Sequence, residues 1–547
     1  MNKKISKFII YTPIIWFIIG FVIYPLINTL ISGFIVGDSF SFENYIGFLS
    51  MENGWTIVKN TFILGISTVL ICGIIGTFLA LAISLIDLKG KKLLNILLLT
   101  PMMIPGVLIV LAFIQLYGES GIVTRLISPF LNFGGLKGFS GILFIHAYTQ
   151  YIFFYTNVSA SLNSLDYSQI EAAKSMGAGN FSIFTKIIIP FIKPALFSSA
   201  IITFMSGISS FSAPNLLGGY KVLSTQIMYS KINNRLNFAS MQVTLMILMG
   251  ISVMFIFRKL EEKSGVQDNI KSTPLKPIKL NSTGGKILKV IIWLTAFSII
   301  LPIICVIFFS FTKSSDVMTK IIPTRFTLEN YKNIFSKPRV LKPFINSIKM
   351  TFEAILATLL ITLPSSYLIV KHKNKFTKLL ESGIMLPIAM PVGSIAVNLI
   401  NAFNTKNVFS FGKPLIGTYA IFPIAYIILT MPTLLRSNII AMRKFNSDLE
   451  YSAKSLGAND IKLFFIITLR EILPFVVSGA IIAYIRVLGE YTVSAFLYGI
   501  HNKPLSIAMV NALQEYDISL SMAYGALTIL ICFIGVATAK FIEKHFY

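Results

Sequence analysis

Apolar runs of 18 residues or more recur along most of this 547-residue chain, among them Ile9 to Ile35, Thr61 to Ile86, and Thr528 to Ala539 with its flanks. A helix needs roughly 20 such residues to cross about 30 Å of hydrocarbon. Twelve runs of this kind can be counted, six on either side of a break near residue 270. The expectation is an all-α integral membrane protein of about twelve transmembrane helices. Only 13% of the residues are charged, about half the ordinary share for a soluble domain, so most of the surface must face lipid. The first run continues without a small-residue cleavage site and is expected to stay as a helix rather than leave as a signal peptide.

A formal charge of +25 would suit a nucleic-acid binder, but its distribution argues against that partner. Lys3, Lys4 and Lys7, then Lys89, Lys91 and Lys92, then Lys371, Lys373, Lys375 and Lys378 cluster beside the ends of apolar runs, together with the basic central segment. Short cytoplasmic loops carry such an excess of Lys and Arg, which places both termini in the cytoplasm. The basic stretch from Lys313 to Lys342 is the exception, assigned to the outer side, where it would face an acidic partner if the local orientation is right. Cys72, Cys305 and Cys532 lie far apart inside apolar runs and read as packing residues, not a metal cluster. The four histidines stand at no metal-ligand spacing.

The two sides of the break repeat each other. Phe42-Glu43-Asn44-Tyr45 answers Leu328-Glu329-Asn330-Tyr331, Pro101 and Pro105 answer Pro387 and Pro391, and Glu171-Ala-Ala-Lys-Ser-Met-Gly-Ala178 answers Tyr451-Ser-Ala-Lys-Ser-Leu-Gly-Ala458, 280 residues on. Such internal similarity marks a duplicated unit. The expected domains are residues 1–258, a cytoplasmic linker 259–285 rich in Lys, Ser, Thr, Pro and Gly, and residues 286–547. An even number of spans per copy makes the repeat parallel, with a pseudo-twofold axis along the membrane normal and a solute path on it. The paired prolines interrupt helical hydrogen bonding and read either as gate-shaping kinks or as passive bends.

The polar element reads as a short helix. Asp166 can cap it, and Gly177 can take the positive φ that ends it. Ile170, Ala173 and Met176 recur at intervals of three as one apolar face, as do Leu449, Ala453 and Leu456 in the second copy before Gly457. Glu-Ala-Ala, three residues, Gly-Ala, then Phe181, Phe184, Ile187, Ile188, Ile189 and Pro190, resembles the EAA loop in permease subunits of type I ABC importers. The second copy departs from the pattern, with Tyr451 in place of Glu171, Glu450 one place earlier, and Arg470 in place of Pro190. What the resemblance implies is a coupling helix seated in a groove of a separate ATPase subunit. Glu171, Ala172, Ala173 and Gly177, with Glu450, Ala453 and Gly457, take that role by position.

No Gly-x4-Gly-Lys-Ser/Thr phosphate loop occurs in the chain, so ATP and its magnesium are expected on partner subunits and no cofactor on this chain. Neither a Ser-His-Asp nor a Cys-His set can be assembled, so the chain itself is not expected to be an enzyme. The family implies two ABC ATPase subunits at the cytoplasmic loops, an extracytoplasmic solute-binding protein, and a bacterial cytoplasmic membrane. A secondary transporter or channel, the rival class, would need buried ionisable groups, for which Glu353, Arg486, Glu490 and His146 are the candidates. Arg486 and Glu490, four apart on one helix, either neutralise each other or line the path. Fusion of both halves in one chain resembles the permeases for iron(III), thiamine and 2-aminoethylphosphonate. Ser210 to Gly219 and Leu488 to Ser494 look most like those of the iron(III) group. Ser210, Ser212, Glu490, Tyr491 and Ser494 offer the oxygen ligands a hard trivalent cation prefers, whereas a phosphonate would seek Arg486 and helix amino termini.

Overall fold

The computed structural model describes residues 11–263, 273–279, 282–372, 374–445, 447–455, 457, 463–500 and 502–546. Lys3, Lys4, Lys7, Lys373, Leu456 and Ala458 lie outside the described residues.

Each half runs through the same succession of helices. In the first these are α1 Tyr11–Ser32, α2 Glu43–Ser50, α3 Gly54–Leu85, α4 Lys91–Leu99, α5 Gly106–Tyr117, α6 Gly138–Ser164, α7 Tyr167–Ser175, α8 Ile189–Ile208, α9 Ser212–Leu217, α10 Leu223–Ile232 and α11 Leu236–Lys263. In the second they are α12 Thr283–Ser310, α13 Glu329–Ser336, α14 Pro338–Lys371, α15 Lys375–Met385, α16 Val392–Phe403, α17 Ile421–Lys444, α18 Ser447–Ser455, α19 Leu469–Leu488, α20 Thr492–Leu497, α21 Leu505–Gln514 and α22 Ile518–Phe546. The repeated tetrapeptide explains itself at atomic level. Asn44 Nδ2 donates to the carbonyls of Gly33 (3.2 Å) and Ile35 (3.1 Å), and Asn330 Nδ2 donates to those of Ser310 and Thr312, both at 2.9 Å. One amide thus ties up two carbonyls released where the first long helix of each half ends.

Among the described residues, ten helices are long and apolar enough to cross a membrane, and eleven if the bent pair α15–α16 is counted as one. The expected twelve is reached only by adding α6. Its 27 residues are long enough at 1.5 Å per residue, but Tyr, Thr, Gln, Asn and Ser along it lower its hydropathy. Those polar groups are spent inside the bundle. Tyr155 bonds to Asn95, and Asn157 Nδ2 donates to Ser199 at 3.0 Å. α6 lies against α3 so closely that a Cβ on Gly76 would stand 2.4 Å from the Tyr151 carbonyl oxygen. Small residues permit this backbone approach where burial of apolar surface supplies no drive in lipid. The opposite face of α3 exposes Leu70 and Ile74, as α14 exposes Leu356 and Leu360 at the matching positions.

The halves are interlocked through their first long helices. α1 packs on α11 of its own half and on α16 of the other, and α12 packs on α22 and on α5. Asn401 of α16 donates to Thr29 (3.1 Å) and Ser240 (2.7 Å), while Asn28 donates back to the Asn401 carbonyl at 3.2 Å. The prolines make more than kinks. Each pair converts the end of one helix into a 3₁₀ turn, at Thr100–Met103 and Leu386–Ala389, and the next helix starts directly after Pro105 or Pro391. The second break turns the chain by 108°.

The linker is anchored on the first half. α11 continues to Lys263, past the expected domain end at Arg258. Ile278 then forms a parallel bridge with Ile86, its N–H donating to Leu85 O at 2.7 Å and its carbonyl accepting from Asp87 N at 3.0 Å.

Candidate functional site: two polar elements and a cavity between the halves

The first polar element is α7, with the side chain of Asp166 capping it through the Ser168 N–H at 3.1 Å. Gly177 follows at φ +81°, with open space around the place a Cβ would take. In the second copy α18 is followed by Gly457 at φ +83°, equally open. A left-handed residue costs an ordinary side chain about 1–2 kcal/mol, so glycine at both positions sets the same sharp exit from the same short helix.

The apolar faces differ from the expected ones. Ile170 is buried and Ala173 half-buried, but Met176 is almost fully exposed. It is the residue that ends the helix, at φ −83° and ψ 7°, where the three-residue spacing no longer keeps one face. In the second copy Ala453 is buried but Leu449 is exposed, because Glu450 takes the inward place. Glu450 pairs with Lys371 and accepts from Thr468 Oγ1 at 3.4 Å. It therefore does not present a carboxylate at the surface as Glu171 does. Glu171 is half exposed and meets Lys276 of the linker at 2.6 Å, and Lys276 lies 5.1 Å from the Tyr167 ring centroid. The Glu171 hydrogen bond holds this exposed ammonium above the usual lysine range. Thr273 adds a second tie, donating from its backbone N–H to Asp166 at 3.2 Å and accepting at Oγ1 from the Ser168 N–H at 3.1 Å. Ala172 is exposed.

A cavity of about 850 Å³ lies between the halves. The first half lines it with one face of α8 from Ser198 to Ser209, with His146 and Gln150 of α6, and with Met254, Arg258 and Glu261 of α11. The second half supplies Pro387 to Ile395 around the proline break, Leu429, Pro432, Thr433 and Arg436 of α17, and Arg486 of α19. Since Arg258 and Glu261 belong to the last turns before the linker, the cavity extends toward the end of the bundle that carries the polar elements.

At the other end stand two residues at the same place in the two copies. Phe211 precedes α9 and Tyr491 precedes α20, and their rings stack with centroids 5.7 Å apart. Asn215 Nδ2 donates to the Tyr491 hydroxyl at 3.2 Å. The correspondence extends to the neighbours, since Ser224 Oγ donates to the carbonyl of Ser210 (2.6 Å) and Ser506 Oγ to that of Glu490 (2.7 Å).

Of the five residues expected on the path, Ser210 and Ser212 line the cavity. Glu490, Tyr491 and Ser494 do not line it; they build its closed end. Glu490 accepts from the Ser494 N–H at 3.2 Å, with the N–H groups of Thr492 and Val493 also directed at its carboxylate. The free amides at the start of α20 hold that carboxylate, and among the described residues no ion pair joins it to Arg486. Ser494 is fully buried between the Glu490 carbonyl, 2.7 Å from its hydroxyl, and the Tyr426 hydroxyl at 3.1 Å. Arg486 instead faces the cavity and donates to Thr433 Oγ1 at 3.4 Å. Glu353 is exposed on α14 beside Tyr419. His146 is buried, its Nδ1 2.8 Å from Thr68 Oγ1. Arg436 was missed in the sequence, although an arginine inside an apolar run is itself the signal. Among the described residues, no group of three His, Cys, Asp or Glu side chains forms a metal site.

Comparison with known proteins agrees with the duplicated architecture. The family of binding-protein-dependent transport system inner membrane components matches twice, over residues 73–264 and 354–546. A probable ABC transporter permease protein, y4fN, of Sinorhizobium fredii is 27% identical over 538 residues, covering 95% of this chain and 94% of that protein. The ferric transport system permease protein FbpB of Actinobacillus pleuropneumoniae is 23% identical, covering 96% and 77%. A putative ferric transport system permease protein, FbpB 1, of Haemophilus influenzae is 25% identical, covering 90% and 78%.

Proposed function

This chain belongs to the family of binding-protein-dependent transport system inner membrane components, and we propose that it forms the whole membrane path for iron(III) in a bacterial ABC importer. It is a multi-pass permease subunit with both halves fused, not an enzyme, and such a permease works with an ATPase and a binding protein. The observation that carries the reading is the cavity between the halves, shut at one end by Phe211 on Tyr491 and extending toward the two glycine-ended polar elements.

In this reading two ATPase subunits, carrying ATP and magnesium, dock at Glu171 to Gly177 and at Glu450 to Gly457, on the cytoplasmic side with both termini. Their closure moves α7 and α18. Those helices are tied to the long helices beside them, α18 through the contact of Glu450 with Lys371 at the end of α14. The halves then part at Phe211 and Tyr491, and solute delivered by the binding protein on the far side enters. The iron assignment is supported by the two ferric-system relatives. One observation favours the alternative cargo, 2-aminoethylphosphonate: Arg486, not Glu490, reaches the cavity.

The test is uptake of labelled iron(III) and labelled 2-aminoethylphosphonate by cells with and without the gene, each with ATP depletion. Gene- and ATP-dependent iron uptake is expected. Phosphonate uptake alone would replace the cargo and keep the permease, and uptake indifferent to ATP would overturn the coupled reading.

A further inference from the structure

The ionisable groups of the cavity are unequal in sign. Arg258, Arg436 and Arg486 line it against the single carboxylate of Glu261, and the one candidate acid on the deep side, Glu490, is turned away to the start of α20. Among the described residues no carboxylate comes within 4.0 Å of Arg486 or Arg436, while Arg258 has a loose contact with Glu262 at 3.9 Å. Arg486 also stands only two residues before the end of a helix that passes for a membrane span. An ionisable side chain that faces a cavity inside a membrane bundle is costly to keep and marks a pathway. Its place in the other copy is taken by Ser206, which also lines the cavity. The second half thus supplies charge where the first supplies hydroxyls.

Resting on the permease reading, we infer that the species entering this cavity is an oxygen-rich anion, held by the guanidinium groups of Arg486 and Arg436 and by the serine hydroxyls of α8. A bare trivalent cation would meet a lining of three arginines against one carboxylate, with no cluster of acids among the described residues to receive it. The planar fork of arginine matches phosphonate or carboxylate oxygens two at a time, and a walled cleft of one sign concentrates counter-ions. The anion can be a free oxyanion or the oxygen ligands around a chelated iron(III), which present the same chemistry to the arginines.

The test uses the full-length permease in lipid nanodiscs, without its ATPase, so it is independent of the coupling argument. Ser206→Cys places a thiol in the cavity, and Ser198→Cys serves as a second position should the first variant fold poorly. Cys72, Cys305 and Cys532 are buried. Rates of modification are measured with methanethiosulfonates bearing a sulfonate or a trimethylammonium group, each relative to its rate with a free thiol. The sulfonate reagent should be favoured, and Arg486→Gln should lower that preference about tenfold. Inorganic phosphate, 2-aminoethylphosphonate and ferric citrate are then tested for protection of the thiol. Protection by phosphate or the phosphonate identifies a free oxyanion, and protection by ferric citrate alone identifies the chelate. Preference for the cationic reagent, no change in Arg486→Gln, or no protection by any of the three would overturn the inference.

Discussion

The two polar elements share one backbone shape and are held in place by different means. Gly177 and Gly457 take nearly the same positive φ, +81° and +83°, after helices of the same length. Around that shape the chemistry diverges. The first is fastened from outside, by Thr273 and Lys276 of the linker on Asp166 and Glu171. The second is fastened from within, by the buried Glu450 on Lys371. A docking partner that reads the shape finds it twice, whereas one that reads the Glu171 carboxylate finds it once. The first element also shares that carboxylate with its own linker. Duplication has kept the geometry and let the anchoring drift apart.

The comparison can be broken most sharply at the glycines. Gly177→Asp should leave membrane insertion intact and abolish uptake, since it adds about 1–2 kcal/mol of backbone strain and a charge at the exit of the helix. Gly457→Asp should reduce uptake less. Equal or reversed effects, with expression matched by immunoblot, would remove the asymmetry between the loops. Next in size is Lys371→Ala. It strands a buried carboxylate and should cost about 2–4 kcal/mol, the usual penalty discounted for the partial exposure of the lysine. Uptake should fall several-fold, and adding Glu450→Gln should restore much of it. If the double variant is no better than the single, the pair is not what fastens α18. Asn44→Ala and Asn330→Ala each free two carbonyls, and should lower stability by about 2 kcal/mol and by similar amounts, measured as thermal inactivation in detergent. Unlike losses would mean that the repeat is not equivalent there. The smallest effect is expected for Lys276→Ala, an exposed pair. Stability should hardly move and uptake should stay within about twofold of wild type. A larger loss of uptake would make the linker contact part of the coupling.

Much of this was legible in the chain. The duplicated landmarks gave the parallel halves, Asp166 and Gly177 gave the start and end of α7, and the proline pairs gave the breaks beside the cavity. What could not be read depended on partners distant in sequence or on competition between two local ones. Glu450 turns inward because Lys371 waits 79 residues earlier, which leaves Leu449 outside. Arg486 and Glu490, four apart, do not share a helix: α19 ends at Leu488, and the free N–H groups at the start of α20 hold the Glu490 carboxylate. Helix periodicity put Met176 on the apolar face, but as the residue that ends the helix it turns out to solvent. Ser210 and Ser212, read from their segment, line the cavity, whereas Arg436, inside an apolar run, and Arg258, at the edge of the linker, were not read as lining it.

The central claim is that solute crosses between the halves when the closed end at Phe211 and Tyr491 opens. The most direct measurement replaces both residues with cysteine and follows ATP-dependent uptake, of whichever solute the gene imports, before and after bridging the two thiols through disulfides with a short bifunctional methanethiosulfonate. The account predicts that a bridge across this pair stops uptake and that a reductant restores it. Undiminished uptake with the bridge fully formed would contradict it.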